Sequence, residues 1–472
     1  MKENVKKGLN WSGVSVLVKA IVLFVQMVVL ARVLPSEELG QVVVLNIIIG
    51  LVYLLSDMGM SSAVIYNKTL TESQLSQIQT INILLGVTLT IFVVILSGLI
   101  SSFYDVNSLE FLIKTVAPVF FIRSVGLQSY ALCQRDLDFK SVAKIEILSS
   151  VVGFVILLIC LFFSLQVYSV VFSILVSSFV FTVLSIFYCK LKFAISAVIK
   201  LSEIRKPLSY GIYQSADNLM NYISSQFDSI VIGKLLGMET LGVYSYLKEL
   251  LFKPSLQVVN LVFNRMLFPV LSSFQNDNLK GKVYLQASKS ISIANITMYS
   301  IMFLFGSEIL HFFYGIEWVD YLDIFRIMIP YVLFVSLVNP VGSLLKSTGQ
   351  VKRSFLWNLI FSALRVLVIL LSVKFGLKTL LVSLGIFMFC CFLLHWYFLL
   401  KPTGNIKFIL WVYSYKEALV SVLFIGVVYY LSINVFKYFD FDLYHPFFFL
   451  LITGLFIGPL FLNTVRQIGD EE

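Results

Sequence analysis

Amide and acidic side chains follow one side of an apolar segment near residues 209–233. Gln214, Asp217, Asn221, Ser225 and Asp228 lie three or four residues apart, which places them on one face of an α-helix. The polar strip is about 20 Å long, given the rise of an α-helix. Inside hydrocarbon such a strip must face packed protein or water. It exceeds what helix packing needs, so we interpret it as functional.

Four other predicted helices carry polar residues at helical spacing. They are Ser12, Ser15, Lys19 and Gln26 in the first, Asn46, Tyr53 and Asp57 in the second, Glu249, Lys253, Gln257, Asn260 and Asn264 in the eighth, and Ser354, Asn358, Ser362 and Arg365 in the eleventh. A lipid-facing charge costs several kcal/mol, so we expect these faces to line a cleft. Glu249 and Lys253, an i,i+4 pair, could equally neutralise each other within the bundle.

We divide the candidate residues by chemistry. The predicted substrate-binding residues are Lys19, Gln26, Asn46, Arg123, Gln214, Asn221, Lys248, Lys253, Asn358 and Arg365. Their cations suit an anionic substrate, because a guanidinium binds phosphate or carboxylate oxygens through paired N–H donors. The predicted ion-coupling residues are Asp57, Asp217, Asp228 and Glu249, since a carboxylate in a partly dry cleft can exchange a proton or bind a cation. Glu146 and Arg326 are interpreted as residues that extend toward the membrane surface.

The helices that position these residues follow from composition. Hydrophobic residues make up 59% of the 472 and charged residues 13%, with a mean hydropathy of +0.92. Soluble domains are about 45–50% apolar and about 25% charged, so a soluble single chain is excluded. Apolar runs lie near residues 11–32, 39–66, 79–103, 111–133, 142–164, 167–188, 209–233, 243–271, 287–313, 322–345, 354–376, 378–400, 413–436 and 444–466. The sequence therefore predicts an all-α polytopic membrane protein of about 14 transmembrane helices.

Short motifs indicate an internal repeat. Arg32–Gly40 (RVLPSEELG) matches Lys234–Gly242 (KLLGMETLG), and Pro118 and Lys140 correspond to Pro330 and Lys352. Six helices thus repeat as six, which predicts two six-helix lobes related by a parallel pseudo-two-fold axis, as in many alternating-access transporters. The predicted divisions are 1–190 (N-terminal lobe), 191–208 (cytoplasmic linker), 209–402 (C-terminal lobe) and 403–472 (two additional helices).

The distribution of charge predicts the orientation of the chain. The net charge is +9, and most lysines and arginines fall on one set of helix ends, which predicts cytoplasmic N- and C-termini.

The sequence shows no pattern typical of a metal or cofactor site. We interpret the five cysteines as small core residues: Cys133, Cys160, Cys189, Cys390 and Cys391. We expect no metal, no cofactor and no nucleic acid. Two Asp-x-Asp sequences, at 136–138 and 440–442, are weak signals for a metal-dependent glycosyltransferase.

Several motifs in order resemble a known family. They are Ala31–Gly40 (ARVLPSEELG), Ser56–Gly59 (SDMG), Gln134–Phe139 (QRDLDF), Phe227–Gly237 (FDSIVIGKLLG) and Asn264–Pro269 (NRMLFP). Together they resemble the polysaccharide transporter family of the MOP flippase superfamily, in its Wzx-type, colanic-acid-exporter-like branch. The resemblance implies two six-helix lobes around a hydrophilic, often cationic cavity, and no enzyme activity.

The same resemblance implies a function and a location. Such a protein is a bacterial inner-membrane flippase that moves undecaprenyl-pyrophosphate-linked sugar units to the periplasmic leaflet for surface polysaccharide biosynthesis. H⁺ or Na⁺ is the implied counter-ion, and membrane lipid and the polymerase and chain-length machinery are the implied partners. Two alternatives stay open: a membrane polysaccharide polymerase or glycosyltransferase, and a multidrug exporter of the same superfamily.

Overall fold

The computed structural model describes residues 2–57, 59–67, 70–189 and 201–439, and only the backbone of 2–10, 62–63, 66, 201–217 and 432–439. All regular structure in these residues is helical. Helices satisfy their own backbone hydrogen bonds, which suits an apolar chain in lipid. The prediction of an all-α polytopic membrane protein is confirmed.

Nine helical segments of the described residues are long and apolar enough to cross a membrane. They are Trp11–Val33, Ser36–Asp57, Glu72–Tyr104, Phe139–Phe162, Tyr168–Tyr188, Ile316–Ser347, Val351–Phe375, Leu377–Gly404 and Phe408–Leu431. A tenth is possible in the pair Asp277–Leu304 and Gly306–Tyr314, which bends by 81°. Every apolar run predicted up to residue 436 coincides with one helix or with consecutive helices. The last run, near 444–466, lies outside the described residues.

The helices group into two compact units that divide between Ser245 and Tyr246. The first unit contains α1 (Lys2–Val33), α2 (Ser36–Asp57), α3 (Met60–Tyr66), α4 (Glu72–Tyr104), α5 (Ser108–Val116), α6 (Pro118–Arg135), α7 (Phe139–Phe162), α8 (Tyr168–Tyr188), α9 (Leu201–Leu236) and the start of α10 (Met238–Phe252). Helix α9, the predicted seventh span, therefore packs with the first six. The predicted four-part division of the chain stays a prediction.

The second unit contains the rest of α10 and the helices that follow. These are a π-helix (Lys253–Val259), α11 (Asn260–Ser273), α12 (Asp277–Leu304), α13 (Gly306–Tyr314), a 3₁₀ helix (Ile316–Tyr321), α14 (Leu322–Val338), α15 (Val341–Ser347), α16 (Val351–Ser372), a 3₁₀ helix (Val373–Phe375), α17 (Leu377–His395), a π-helix (Trp396–Leu400), α18 (Lys401–Gly404), α19 (Phe408–Tyr413) and α20 (Lys416–Phe439).

Local sequence explains several helix boundaries. Thr71 and Gln74 form a capping box at the start of α4. Pro118 occupies the first turn of α6, where its missing N–H is tolerated. The side chain of Asp138 caps α7 by accepting from the backbone N–H of Ser141 at 3.2 Å. The Asp-x-Asp sequence at 136–138 is thus explained by helix capping.

The two repeat motifs contact each other in the first unit. A Cβ atom built on Gly40 would lie 2.1 Å from the carbonyl oxygen of Met238, and one built on Gly242 would lie 2.1 Å from that of Ser36. Ser36 and Gly40 hold the same motif positions as Met238 and Gly242. The contact is therefore reciprocal, as expected for elements related by a pseudo-two-fold axis.

Candidate functional site

Arg123 lies on α6 between two aromatic rings from different helices. Its guanidinium carbon is 4.5 Å from the ring centroid of Tyr53 on α2 and 4.4 Å from that of Phe181 on α8. Each such contact contributes about 0.5–2 kcal/mol, with the larger value for desolvated pairs. No carboxylate among the described residues forms an ion pair with Arg123. Its N–H donors are therefore oriented by the rings and not neutralised by an acid.

The packing of α6 against α8 fixes this arrangement. Gly126 allows the close approach, since a Cβ atom there would lie 2.7 Å from the Cα atom of Thr182. The hydroxyl of Thr182 donates to the carbonyl of Ile122 at 2.7 Å. The Tyr53 hydroxyl lies 3.3 Å from Ser178 Oγ, which ties α2 to α8. Both rings that hold Arg123 are thus anchored by neighbouring polar contacts.

A second group of polar residues lies beside one of these rings, that of Phe181. Tyr130, on α6, packs its ring 5.1 Å from that of Phe181 and donates its hydroxyl to Oε1 of Glu146 on α7 at 2.7 Å. The same oxygen lies 3.2 Å from Nζ of Lys19 on α1. We call Lys19, Tyr53, Arg123, Tyr130, Glu146 and Phe181 together the Arg123 network.

The network extends along one face of α6. Arg123 and Tyr130 are about two helical turns apart, roughly 10 Å along the axis. The Lys19–Glu146 pair therefore lies nearer the C-terminal end of α6 than Arg123 does. Lys19 and Arg123, both predicted substrate-binding residues, thus belong to one connected group of side chains.

Glu146 and Tyr130 are functional candidates that the sequence analysis missed. The sequence predicts that Glu146 extends toward the membrane surface, but its side chain is only 18% exposed and is held by Lys19 and Tyr130. The available signal was a carboxylate within an apolar helix, because such residues are usually functional. Nothing in the sequence of α6 distinguished Tyr130 from other aromatic residues.

Asp228 lies apart from this network, near the end of α9. It is fully buried, and its Oδ2 accepts a hydrogen bond from the Tyr244 hydroxyl at 2.5 Å. Its Oδ1 accepts from the N–H of Ser229 at 2.9 Å. Asn221 and Ser225, on the same predicted strip, are exposed. The predicted strip is therefore buried at Asp228 and exposed at Asn221 and Ser225.

The remaining predicted residues of the first unit have separate positions. Gln26 is half-buried on α1, and Asn46 is exposed on α2. The Asp57 carboxylate accepts from the N–H of Ser61 at 3.0 Å, where α3 begins. The side chains of Gln214 and Asp217 lie outside the part that the structure describes. Their assignment as substrate-binding and ion-coupling residues stays a prediction.

In the second unit, three predicted residues lie within two turns of one another. Glu249 and Lys253 form an ion pair of 2.5 Å, with side chains 54% and 22% exposed. The ammonium of Lys248 lies 5.8 Å from the ring of Phe252. Lys253 begins the π-helix, a form that is frequent at functional sites. The i,i+4 ion pair between Glu249 and Lys253, one of the two alternatives for these residues, is present.

Two further predicted residues lie on α16. Asn358 is exposed and Arg365 is half-buried, about two turns further along the same face. On α11, Asn260 is buried and bonded on both sides, donating to the carbonyl of Ser336 at 2.7 Å and accepting from Asn295 at 2.9 Å. Asn260 therefore serves the packing between helices.

The sequence predicts Cys133 and Cys189 as small core residues, but the structure pairs them in a disulfide. Cys133 is near the end of α6 and Cys189 follows α8, with Cα atoms 5.5 Å apart. The bond joins the end of α6, which carries Arg123, to the end of α8, which carries Phe181. Spacing alone gave no sign of this pairing, since the two cysteines are 56 positions apart.

Long apolar helices with a half-buried cationic network among them define a multi-pass α-helical membrane protein. The chain belongs to the family described as Polysaccharide biosynthesis protein, whose model matches residues 29–323. The resemblance predicted from the motifs is thereby confirmed.

Individual relatives agree with this assignment. The chain is 28% identical over 403 residues to the "Uncharacterized membrane protein in cps region" of Klebsiella pneumoniae, covering 84% of this chain and 83% of that protein. It is 24% identical over 359 residues to the lipopolysaccharide biosynthesis protein WzxC of Escherichia coli K12, covering 76% and 73%. Among solved structures, the lipid II flippase MurJ in an inward closed conformation matches with a TM-score of 0.72 and 14% identity, covering 97% and 99%. The chain therefore has the MurJ fold.

Proposed function

We propose that this protein is a flippase for undecaprenyl-pyrophosphate-linked oligosaccharide units in surface polysaccharide biosynthesis. The observation that carries the proposal is Arg123, a guanidinium held between Tyr53 and Phe181 without an acidic partner among the described residues. A charge within an apolar bundle is expensive, so it is retained where it contacts a substrate or an ion. Family membership and the lipopolysaccharide relative support a carbohydrate-linked substrate.

The chemistry of the site suits a phosphate group. A guanidinium binds two phosphate oxygens at once, and its orientation by two rings lowers the entropy lost on binding. Lys19 supplies a second cation within the same network. A pyrophosphate linked to a sugar offers several acceptor oxygens to both. The network holds and releases this group and makes or breaks no covalent bond, so the proposed function is transport and not catalysis.

Movement of the substrate requires alternating access and a source of energy. We assign ion coupling, by H⁺ or Na⁺, to Asp57, Asp217, Asp228 and Glu249. The proposed location is the inner membrane of a bacterial cell, with both termini cytoplasmic. In that orientation the Lys19–Glu146 end of the network is nearer the cytoplasm and Arg123 lies deeper in the membrane. Lipid and the polymerase and chain-length machinery are the proposed partners.

The test is the leaflet distribution of lipid-linked oligosaccharide in cells depleted of this protein. Complementation with wild type is expected to restore flipping, whereas Arg123→Ala should leave complete, unpolymerised units on the cytoplasmic face. Arg123→Lys retains the charge without the paired N–H donors and is expected to restore flipping only partly. The matched control is Arg326→Ala, because Arg326 also lies over a ring, that of Phe303, but outside the network.

Two results would contradict the proposal. Complete units that reach the periplasm unpolymerised would indicate a polymerase. Unchanged glycan with increased sensitivity to amphipathic drugs would indicate a multidrug exporter.

A further inference from the structure

Lys19 and Arg123 differ in the groups that their charged ends contact. Lys19 is engaged by the carboxylate of Glu146 at 3.2 Å, whereas Arg123 contacts two rings and no described acid. The Lys19 side chain is nevertheless 38% exposed, and its ammonium has three N–H donors, of which the hydrogen bond to Glu146 uses one. Arg123 is therefore available to bind an anion, whereas Lys19 already binds an anion of the protein, the carboxylate of Glu146.

Tyr130 keeps Glu146 in place independently of Lys19. Its hydroxyl donates to the same Oε1 atom at 2.7 Å, and its ring is packed against Phe181. If Lys19 moves away, the carboxylate keeps this hydrogen bond and does not become an unpaired, half-buried charge. The penalty for separating this half-buried ion pair is thereby reduced, since much of the cost of breaking an ion pair that is shielded from water comes from the charge left uncompensated.

We propose that Glu146 is an internal competitor for the anionic group of the substrate at Lys19. In the empty site the carboxylate occupies the lysine; when substrate arrives, a phosphate displaces it, while Arg123 binds the substrate deeper along α6. This inference rests on the proposed function and adds a selectivity to it. A phosphate group carries more charge than a carboxylate, so a pyrophosphate can displace Glu146 where a monocarboxylate cannot.

The return of Glu146 to Lys19 also assists release. A site with two uncompensated cations would bind pyrophosphate tightly and release it slowly, because tighter binding appears chiefly as slower dissociation. With Glu146 present, the carboxylate replaces the departing phosphate and restores the ion pair. Glu146 is thus expected to weaken binding and to speed turnover.

The experiment uses the full chain in lipid nanodiscs with inorganic pyrophosphate as the probe, measured by calorimetry. Glu146→Gln keeps the size of the side chain and an acceptor for Tyr130 but removes the charge, and we expect it to bind pyrophosphate about tenfold more tightly than wild type. The double variant Lys19→Gln/Glu146→Gln is expected to lose that gain. The matched control is Glu110→Gln, which removes the acid from the Lys114–Glu110 pair on α5, outside the network.

Acetate supplies a second readout. In Glu146→Gln it can enter the vacated position beside Lys19 and compete with pyrophosphate, whereas in wild type it is expected to have no effect. Flipping in cells should be several-fold slower in Glu146→Gln despite tighter binding. Glu146→Asp, a carboxylate one methylene shorter, gives a smaller change in the same direction and serves if the glutamine variant does not fold.

The results separate this inference from the proposed function. If Glu146→Gln binds pyrophosphate no more tightly than wild type while Arg123→Gln loses binding, the competitor role is wrong and the flippase proposal stands. If wild type and Arg123→Gln bind alike and both support flipping, the phosphate site is wrong, and the competitor role fails with it.

Discussion

Gly40 and Gly242 occupy equivalent places in one reciprocal contact between the repeat motifs. Each lies where a Cβ atom would come within 2.1 Å of a backbone carbonyl oxygen of the other motif. Backbone cannot move aside as a flexible side chain can, so both positions require glycine. The contact gives the short sequence repeat a structural role, because it joins the start of α2 to the start of α10.

Substitution of either glycine is therefore expected to be destabilising. Gly40→Ala and Gly242→Ala should each lower the free energy of unfolding by about 1–3 kcal/mol, because the helices must separate to admit the methyl group. The measurement is the thermal unfolding midpoint of the purified protein. Gly426→Ala is the control, since nothing lies within 4 Å of a Cβ atom there. Equal midpoints for all three variants would show that the contact is loose.

The rings around Arg123 should support binding through their cation–π contacts, which an apolar side chain of similar size cannot replace. Phe181→Leu keeps an apolar side chain but removes one cation–π contact, worth about 0.5–2 kcal/mol. We expect pyrophosphate affinity to fall about two- to thirtyfold, as measured by calorimetry. Phe303→Leu, which removes the ring beneath Arg326, is the matched control and should leave affinity unchanged. A similar loss in both variants would indicate a general packing effect.

Tyr244 should stabilise the first unit through Asp228. Tyr244→Phe removes the 2.5 Å hydrogen bond to a fully buried carboxylate, and a hydrogen bond to a charged group contributes about 1.5–3 kcal/mol. We expect the free energy of unfolding, measured by denaturant titration, to fall by that amount. Tyr222→Phe is the comparison, because that hydroxyl donates to the backbone carbonyl of Ile47 at 3.1 Å and no charge is involved. A smaller loss in Tyr244→Phe than in Tyr222→Phe would contradict this assignment.

The Cys133–Cys189 disulfide is expected to depend on the redox conditions. Both cysteines lie at helix ends predicted to be cytoplasmic, where thiols are kept reduced. Alkylation in intact cells should therefore label the half-buried Cys189, and oxidation after purification should protect it and stabilise the protein by about 2–4 kcal/mol. Peptide mapping and unfolding with and without reductant measure these changes. Cys160→Ser should behave as wild type, and equal labelling of Cys189 before and after oxidation would exclude the pairing.

Sequence alone determined the class of protein, the positions of its helices and the repeat. Hydropathy and helical spacing are local properties, and a bilayer requires long apolar helices whatever their partners. The motif match between Arg32–Gly40 and Lys234–Gly242 likewise needed no structure, although only the structure shows that the two motifs touch. Lys19 and Arg123 were identified because a cation within an apolar helix is expensive wherever it points.

Tertiary structure alone decided which of these residues work together. The Arg123 network joins α1, α2, α6, α7 and α8, and its members are brought together by packing between helices distant in sequence. Helical spacing places residues on a face but does not say what that face meets. Asp228 therefore proved buried against Tyr244 while Asn221, on the same strip, is exposed. Glu146 acquired a partner in Lys19 for the same reason: the rotation of each helix is set by its neighbours.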